Sequence, residues 1–174
     1  MRSVVVCVAV GAFLWVNGAH AGSVEVKGIH LCCNNCVKQA GGILSKVEGV
    51  SDAKCDRDSK TVTFSAKDSK SAAAGVKALM DGGFFGTATE DGKDIKVAAA
   101  APKSGEKANE VTVTQVHVCC KSCQTAIAGL FKGAEVEYSG VGPQKAVKVT
   151  GKDLDKAEVL ATLRKAGFNG TVEK

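Results

Sequence analysis

Hydrophobic and polar positions alternate along this chain in a way that predicts two copies of one set of elements. In the first copy, alternating β-branched residues predict strands. These strands span 24–31, 50–55, 61–65 and part of 87–97. Apolar residues spaced three and four apart predict two helices, at 37–47 and 72–80. The predicted order is therefore strand, helix, strand, strand, helix, strand.

The second copy repeats this order at a nearly constant offset. Val24 and Leu31 correspond to Val111 and Val118 at an offset of 87, whereas the Gly-Phe pair at residue 83 recurs 84 residues later. The second copy is therefore three residues shorter in its middle. Its predicted strands span 111–118, 135–138, 146–149 and 170–173, and its predicted helices span 124–132 and 153–166.

The order β-α-β-β-α-β is that of the ferredoxin-like split unit. We therefore expect an α+β protein of two tandem ferredoxin-like βαββαβ domains, each an antiparallel sheet with two helices on one face. The domains would span 22–97 and 110–174. Residues 98–109 are small and polar, contain a proline, and are predicted to form a flexible linker.

The N-terminus has the pattern of a secretory signal peptide over residues 1–21. A charged start at Arg2 precedes an uncharged apolar run, and a small-x-small exit ends at Ala21. The run is short for a membrane span, which needs ~20 residues. We expect cleavage near Ala21, a secreted or periplasmic protein, and no stable membrane insertion after cleavage. The alternative is an uncleaved N-terminal anchor.

Charge and composition exclude some functions. The formal net charge of +5 comes from interspersed residues rather than a basic stripe, so we expect no nucleic-acid partner. No acid/base constellation of the kind that enzymes use stands out, so we predict no enzymatic activity.

The candidate chemistry lies in a motif, H-x-C-C-x-x-C, that occurs once per copy. Outside the predicted signal peptide, the motifs hold both histidines and six of the seven cysteines. The candidate ligands are His30, Cys32, Cys33 and Cys36 in the first copy and His117, Cys119, Cys120 and Cys123 in the second. The remaining cysteine, Cys55, has no counterpart and is expected to pack as a small buried residue.

The C-x-x-C half of each motif precedes a predicted helix, which places both sulfurs on one face of the first turn. The helix N-terminus favours thiolates, and thiolates bind soft or borderline ions. We therefore expect Cys33 with Cys36, and Cys120 with Cys123, to be the core metal ligands.

The H-x-C half leaves more than one interpretation open. A third sulfur and an imidazole would give the S₃N set that zinc accepts. However, adjacent residues of an extended strand point to opposite faces, so Cys32 and Cys33 converge only if the chain bends. The histidines could instead be strand residues at a sheet edge.

These features resemble the heavy-metal-associated domain family. That family includes copper chaperones, modules of copper- and zinc-exporting ATPases, and a periplasmic mercury-binding protein. The C-x-x-C cysteines match its metal-binding cysteines, Gly49-Val50 matches its Gly-Val after helix one, and Gly83-Phe84 with Gly167-Phe168 matches its Gly-Phe after helix two. The extra cysteine and histidine of each motif depart from the family pattern.

The resemblance implies a metallochaperone-like role. We expect one soft heavy-metal ion per domain, with Cu(I) or Zn(II) favoured and Hg(II) also accepted, for carriage or sequestration. The partner would be a metal transporter or another metal-binding protein. A first alternative is a thiol–disulfide protein whose C-x-x-C pairs are oxidised, because secretion exposes thiols to an oxidising compartment. A second is a docking module whose metal sites are degenerate.

Overall fold

A computed structural model describes residues 22–173 of the chain. The predicted signal peptide, residues 1–21, lies outside the described residues. Nine strands and four helices occur within the described range. In order they are β1 (Gly22–Lys27), α1 (Asn34–Leu44), β2 (Val50–Asp56), β3 (Thr61–Ala66), α2 (Ser69–Asp81), β4 (Thr87–Glu90), β5 (Lys93–Asp94), β6 (Lys107–His117), α3 (Lys121–Ala128), β7 (Glu135–Ser139), β8 (Gln144–Asp155), α4 (Lys156–Lys165) and β9 (Thr171–Val172).

The strands form two antiparallel sheets. The first has five strands in the order β2-β3-β1-β4-β5, and the second has four in the order β7-β8-β6-β9. In the first sheet Val24 lies opposite Phe64 and Val26 opposite Val62, and all four side chains are buried. This period-two alternation places the apolar side chains on the face that packs against α1 and α2.

The prediction of two tandem ferredoxin-like βαββαβ domains is wrong. The first sheet has a fifth strand, because residues 87–97 form the hairpin β4–β5 instead of a single last strand. The buried residues of both copies also belong to one continuous hydrophobic cluster. Copies of this size bury too small a core to be strongly stable alone, and here they bury part of their apolar surface against each other.

The junction between the copies is an antiparallel bridge between Phe84 and Phe168, both of which are fully buried. The carbonyl of Gly167 accepts hydrogen bonds from the backbone N–H of Phe85 (3.0 Å) and of His30 (3.3 Å). Residues of the second copy therefore complete the backbone hydrogen bonding of the first.

The reciprocal contacts are present on the other side of the bridge. The carbonyl of Gly83 accepts hydrogen bonds from the backbone N–H of Asn169 (2.9 Å) and of His117 (3.4 Å). The Asn169 side chain also donates to the carbonyl of Met80 at 2.9 Å. Because each of these backbone contacts has its counterpart, the copies are related by an approximate two-fold axis through the phenylalanine bridge.

The remaining differences from the sequence prediction concern element ends. Residues 107–109, assigned to the linker, form the start of β6, which pairs with the end of β8. The last helix begins at Lys156 rather than at residue 153, since β8 continues to Asp155. The carboxylate of Asp155 then accepts hydrogen bonds from the N–H groups of Ala157 and Glu158, which is N-cap geometry.

The junction can be tested at Gly83. This residue has φ +87°, and a Cβ atom there would lie 2.3 Å from the His117 backbone nitrogen. Gly92 is a matched control, because it has φ +80° and open space around the same position. We expect Gly92→Ala to cost only the left-handed backbone strain, about 1–2 kcal/mol.

Gly83→Ala should cost a further ~1–3 kcal/mol, because the two copies must move apart to admit the methyl group. Urea denaturation of both variants measures the difference. Equal losses would show that the copies do not meet at this glycine in solution.

Candidate metal centre

A bend in the backbone precedes the motif in each copy. β1 ends at Lys27, and the next residue, Gly28, has φ +79°. Its counterpart in the second copy, Gln115, has φ +61°, and the register of β6 against β8 shifts between Val113 and Val116. In both copies the backbone therefore turns two residues before the motif histidine. Adjacent cysteines nevertheless converge, because Cys32 Sγ and Cys33 Sγ each lie 3.6 Å from Cys36 Sγ.

The central cysteines stand at the N-caps of two helices. Cys33 caps α1 and Cys120 caps α3, and neither side chain makes a capping hydrogen bond. The other helices have ordinary caps, because Asp68 and Asp155 accept hydrogen bonds from their first turns. The N-termini of α1 and α3 thus keep their positive partial charge available for thiolates.

The six motif cysteines form one cluster of sulfurs. Within the first motif, Cys36 Sγ lies 3.6 Å from both Cys32 Sγ and Cys33 Sγ. Contacts between the motifs are as short. They are Cys32–Cys123 at 3.4 Å, Cys32–Cys120 at 3.7 Å, Cys33–Cys119 at 3.6 Å, Cys36–Cys119 at 3.6 Å and Cys33–Cys120 at 3.8 Å. All seven described cysteines are free thiols, since a disulfide would need about 2.05 Å.

The histidines lie beside the sulfurs, and each packs on the other copy. His30 stacks on Phe168 with ring centroids 4.1 Å apart, and His117 stacks on Phe84 at 4.2 Å. The Nε2 atoms of both histidines are buried and have no hydrogen-bond partner among the described residues. A buried polar atom without a partner is costly, at ~1–3 kcal/mol. His117 is the more deeply buried of the two histidines, since it is only 1% exposed.

These groups have the separation that metal ligands need. The side-chain ligand atoms of Cys36, His117, Cys119 and Cys123 all lie within 4.8 Å of one another. A tetrahedral zinc site with Zn–S bonds of ~2.3 Å has sulfurs about 3.8 Å apart, which is close to the sulfur separations found here. The cluster of cysteines and histidine could therefore hold a metal ion.

Hydrogen bonding between the sulfurs lowers the pKa of one thiol and raises the pKa of its partner. A hydrogen bond with Cys123 lowers the pKa of Cys36 to about 2, with further help from His117 and nearby backbone N–H groups. The same bond, together with burial, raises the pKa of Cys123. Burial raises the pKa of Cys32 to about 12 and raises that of Cys119 as well. At least one thiolate is therefore present in the cluster at neutral pH.

Two further groups support metal binding. Burial raises the pKa of Cys120, but hydrogen bonds from Cys123 and Cys32 outweigh it and lower that pKa to about 7. Burial lowers the pKa of His30, which keeps its imidazole neutral. A neutral imidazole is the form that binds a metal.

The structure brings together all eight residues singled out in the sequence, in one centre instead of two. Cys55 lies in β2, outside the groups of candidate ligands, and its pKa is raised by burial. Sequence reasoning missed Arg57, whose guanidinium donates to the Cys32 carbonyl (3.0 Å) and to Asn34 Oδ1 (3.3 Å). The only sequence signal for Arg57 was its place in a turn after β2, which does not indicate a contact with the motif.

Two comparisons of the sequence with known proteins find no match. No protein-family model matches the sequence, and a search of curated proteins finds no significant match. Within residues 22–173, none of the helices has the length and apolar character needed to cross a membrane.

Replacing His117 should separate metal binding from stability. In His117→Leu, loss of the stack on Phe84 costs ~0.5–1.5 kcal/mol, whereas removing an unpaired buried nitrogen recovers ~1–3 kcal/mol. We therefore expect the metal-free variant to be as stable as the wild type or more stable, and to bind metal more weakly. Chemical denaturation with a chelator present measures the first quantity, and chelator competition measures the second.

Leu163→Ala is a control in which stability should fall while metal affinity does not change. Leu163 is fully buried in α4, so its truncation should cost ~2–5 kcal/mol and leave metal affinity unchanged. If His117→Leu behaves like Leu163→Ala in both measurements, His117 has only a packing role.

Proposed function

We propose that this protein binds soft heavy-metal ions, Cu(I) foremost, at the joint cysteine–histidine cluster, and that it carries or sequesters them. The observation that carries this proposal is the convergence of six cysteine sulfurs, from motifs 87 residues apart, to contacts of 3.4–3.9 Å. Two imidazoles, each with a buried Nε2 that lacks a partner, have a ring nitrogen beside the same sulfurs. This donor set has no carboxylate, so calcium and magnesium are poor candidates.

The softness of the donors favours Cu(I). Thiolates select Cu(I) and Zn(II) among the common ions, and Zn(II) takes four ligands. The group of Cys36, His117, Cys119 and Cys123 suits Zn(II), which makes zinc the nearest competitor. Cu(I) makes better use of a centre that has more sulfurs than one tetrahedral ion can bind.

The exposure of the sulfurs favours carriage over permanent storage. Cys36 and Cys123 are fully buried, while the other four motif cysteines are half-buried. A partner's thiolate would therefore meet the half-buried sulfurs first and could take the ion by ligand exchange. The partner we propose is a metal transporter or another metal-binding protein.

The proposed site of action is outside the cytoplasm, in the secretory or periplasmic compartment. This rests on the signal-peptide pattern of residues 1–21. The motif resemblance to heavy-metal-associated domains supports the metal-carrying role, and we propose no enzymatic activity.

The competing function is that of a thiol–disulfide protein. The sulfurs lie close enough for several pairings, and an oxidising compartment favours disulfides. Mass spectrometry of protein isolated without reductant distinguishes the two. Metal-bound protein with free thiols supports our proposal, whereas metal-free protein with fully paired motif cysteines contradicts it.

Removing the two buried sulfurs should abolish tight binding. In Cys36→Ser/Cys123→Ser each motif loses its most buried ligand, so we expect Cu(I) affinity to fall by at least ~100-fold, a loss of about 2.7 kcal/mol. Competition with a chromophoric Cu(I) chelator under anaerobic conditions measures this.

Cys55→Ser is the matched control, because it removes a half-buried cysteine outside the cluster. Its affinity should equal that of the wild type. Equal affinities for all three proteins would exclude the cluster as the metal site.

A further inference from the structure

We propose that the six sulfurs form one polynuclear Cu(I) centre of at least two ions, in which each ion binds sulfurs from both motifs. This inference rests on the proposed function and adds the number of ions and the sharing of ligands. It replaces the expectation of one separate site in each copy.

The first set of three sulfurs consists of Cys33, Cys36 and Cys119. All three separations between their Sγ atoms are 3.6 Å, so the sulfurs form an equilateral triangle. Two of them belong to the C-x-x-C pair of the first motif. The third is the extra cysteine of the second motif, so the first motif does not make this triangle alone.

In the second set of three sulfurs, the second motif supplies its C-x-x-C pair and the first motif supplies its extra cysteine. Cys120 and Cys123 lie 3.8 Å apart, and Cys32 of the first motif lies 3.7 and 3.4 Å from them. Three edges of similar length join the triangles, at 3.6 Å (Cys32–Cys36), 3.8 Å (Cys33–Cys120) and 3.9 Å (Cys119–Cys123). The six sulfurs are therefore the corners of a trigonal prism, and the approximate two-fold axis exchanges its ends.

Each triangle has the size of a three-coordinate thiolate site. The centre of a triangle with 3.6 Å edges lies 3.6/√3, or about 2.1 Å, from each corner, near the ~2.3 Å of a zinc–thiolate bond. One ion in each triangle would engage every sulfur. A single tetrahedral ion would leave at least two of the six without a ligand role.

Charge also favours more than one ion. Thiolates packed 3.4–3.9 Å apart repel strongly in a partly buried site, and each monovalent cation offsets one negative charge. The guanidinium of Arg57 is bonded to the Cys32 carbonyl and to Asn34 rather than to a sulfur. Bound metal ions would supply positive charge that this guanidinium does not.

His117 lies beside both ends of the prism, and His30 lies beside one end. The side-chain ligand atom of His117 lies within 4.8 Å of Cys36 and Cys119 at one end and of Cys123 at the other. His30 adjoins Cys32 and Cys123. An imidazole in this position can cap an edge of the centre, which would give the unpartnered Nε2 atoms their missing partner.

Anaerobic titration of the full chain with Cu(I), followed by native mass spectrometry and X-ray absorption, tests the inference. We expect at least two ions per chain, three sulfurs around each ion, and a metal–metal scattering shell. One ion per chain would overturn the shared centre and leave the proposed function standing. Two ions without a metal–metal shell would indicate separate sites and would also overturn it. No tightly bound ion would overturn the proposed function itself.

A double variant tests the exchange of ligands between the motifs. Cys32→Ser/Cys119→Ser removes the third sulfur of each triangle but keeps both C-x-x-C pairs. We expect the sulfur coordination number to fall from three to two and the metal–metal shell to disappear. If each pair instead binds its ion independently, the variant should give the wild-type absorption spectrum.

Two controls accompany this variant. Cys55→Ser should keep three sulfurs and the metal–metal shell. Circular dichroism of the metal-free double variant should match the wild type, because both replaced cysteines are only half-buried. If the double variant does not fold, the same absorption measurement on Cys32→Ser and Cys119→Ser singly replaces it. Each should lose the metal–metal shell, and a retained shell in both would overturn the inference.

Discussion

The docking of the two copies at the Phe84–Phe168 bridge is the contact on which the candidate metal centre depends. The glycine before each phenylalanine has a positive φ and lets the other copy approach to hydrogen-bonding distance, with its carbonyl accepting from the N–H of the opposite motif histidine. The same phenylalanines then stack on those histidines. Backbone pairing thus sets the separation of the motifs, and six sulfurs can meet only at that separation.

Several features of this centre are unfavourable in the metal-free protein. Two helices begin at cysteines that make no capping hydrogen bond, two imidazole nitrogens are buried without partners, and thiols with perturbed pKa values lie in contact. Local costs of this kind are found at functional sites, where the surrounding structure maintains them. Here the hydrophobic cluster shared by both copies supplies that support. A bound soft ion would relieve all three, which links metal affinity to the stability of the junction.

The sequence was a good guide to local structure and to which candidate ligands lie together, and a poor one to assembly. The repeat, most helix and strand positions and the eight candidate ligands follow from periodicity and residue type. The meeting of the copies does not, because it depends on contacts between residues about 85 positions apart. The fifth strand does not either, because it is only two residues long and pairs with β4 across a tight turn. Gly28 signals a bend in the first copy, but its counterpart Gln115 adopts the same left-handed region without a glycine. The sequence left open whether adjacent cysteines converge, and in the structure the sulfurs of Cys32 and Cys33 both lie 3.6 Å from that of Cys36.

The two copies differ in length at a position that leaves the cysteine cluster unchanged. α1 has 11 residues and α3 has 8, so the three-residue difference falls at the ends of these helices farthest from the cysteines. The motifs at the helix starts and the Gly-Phe pairs at the junction keep matching geometry, with the histidine stacks at 4.1 and 4.2 Å. Shortening a helix at its C-terminus alters packing at one edge, whereas shifting its N-terminus would move a sulfur out of the prism. The symmetry is therefore retained where both copies contribute to one site, and it is relaxed where each copy packs only against itself.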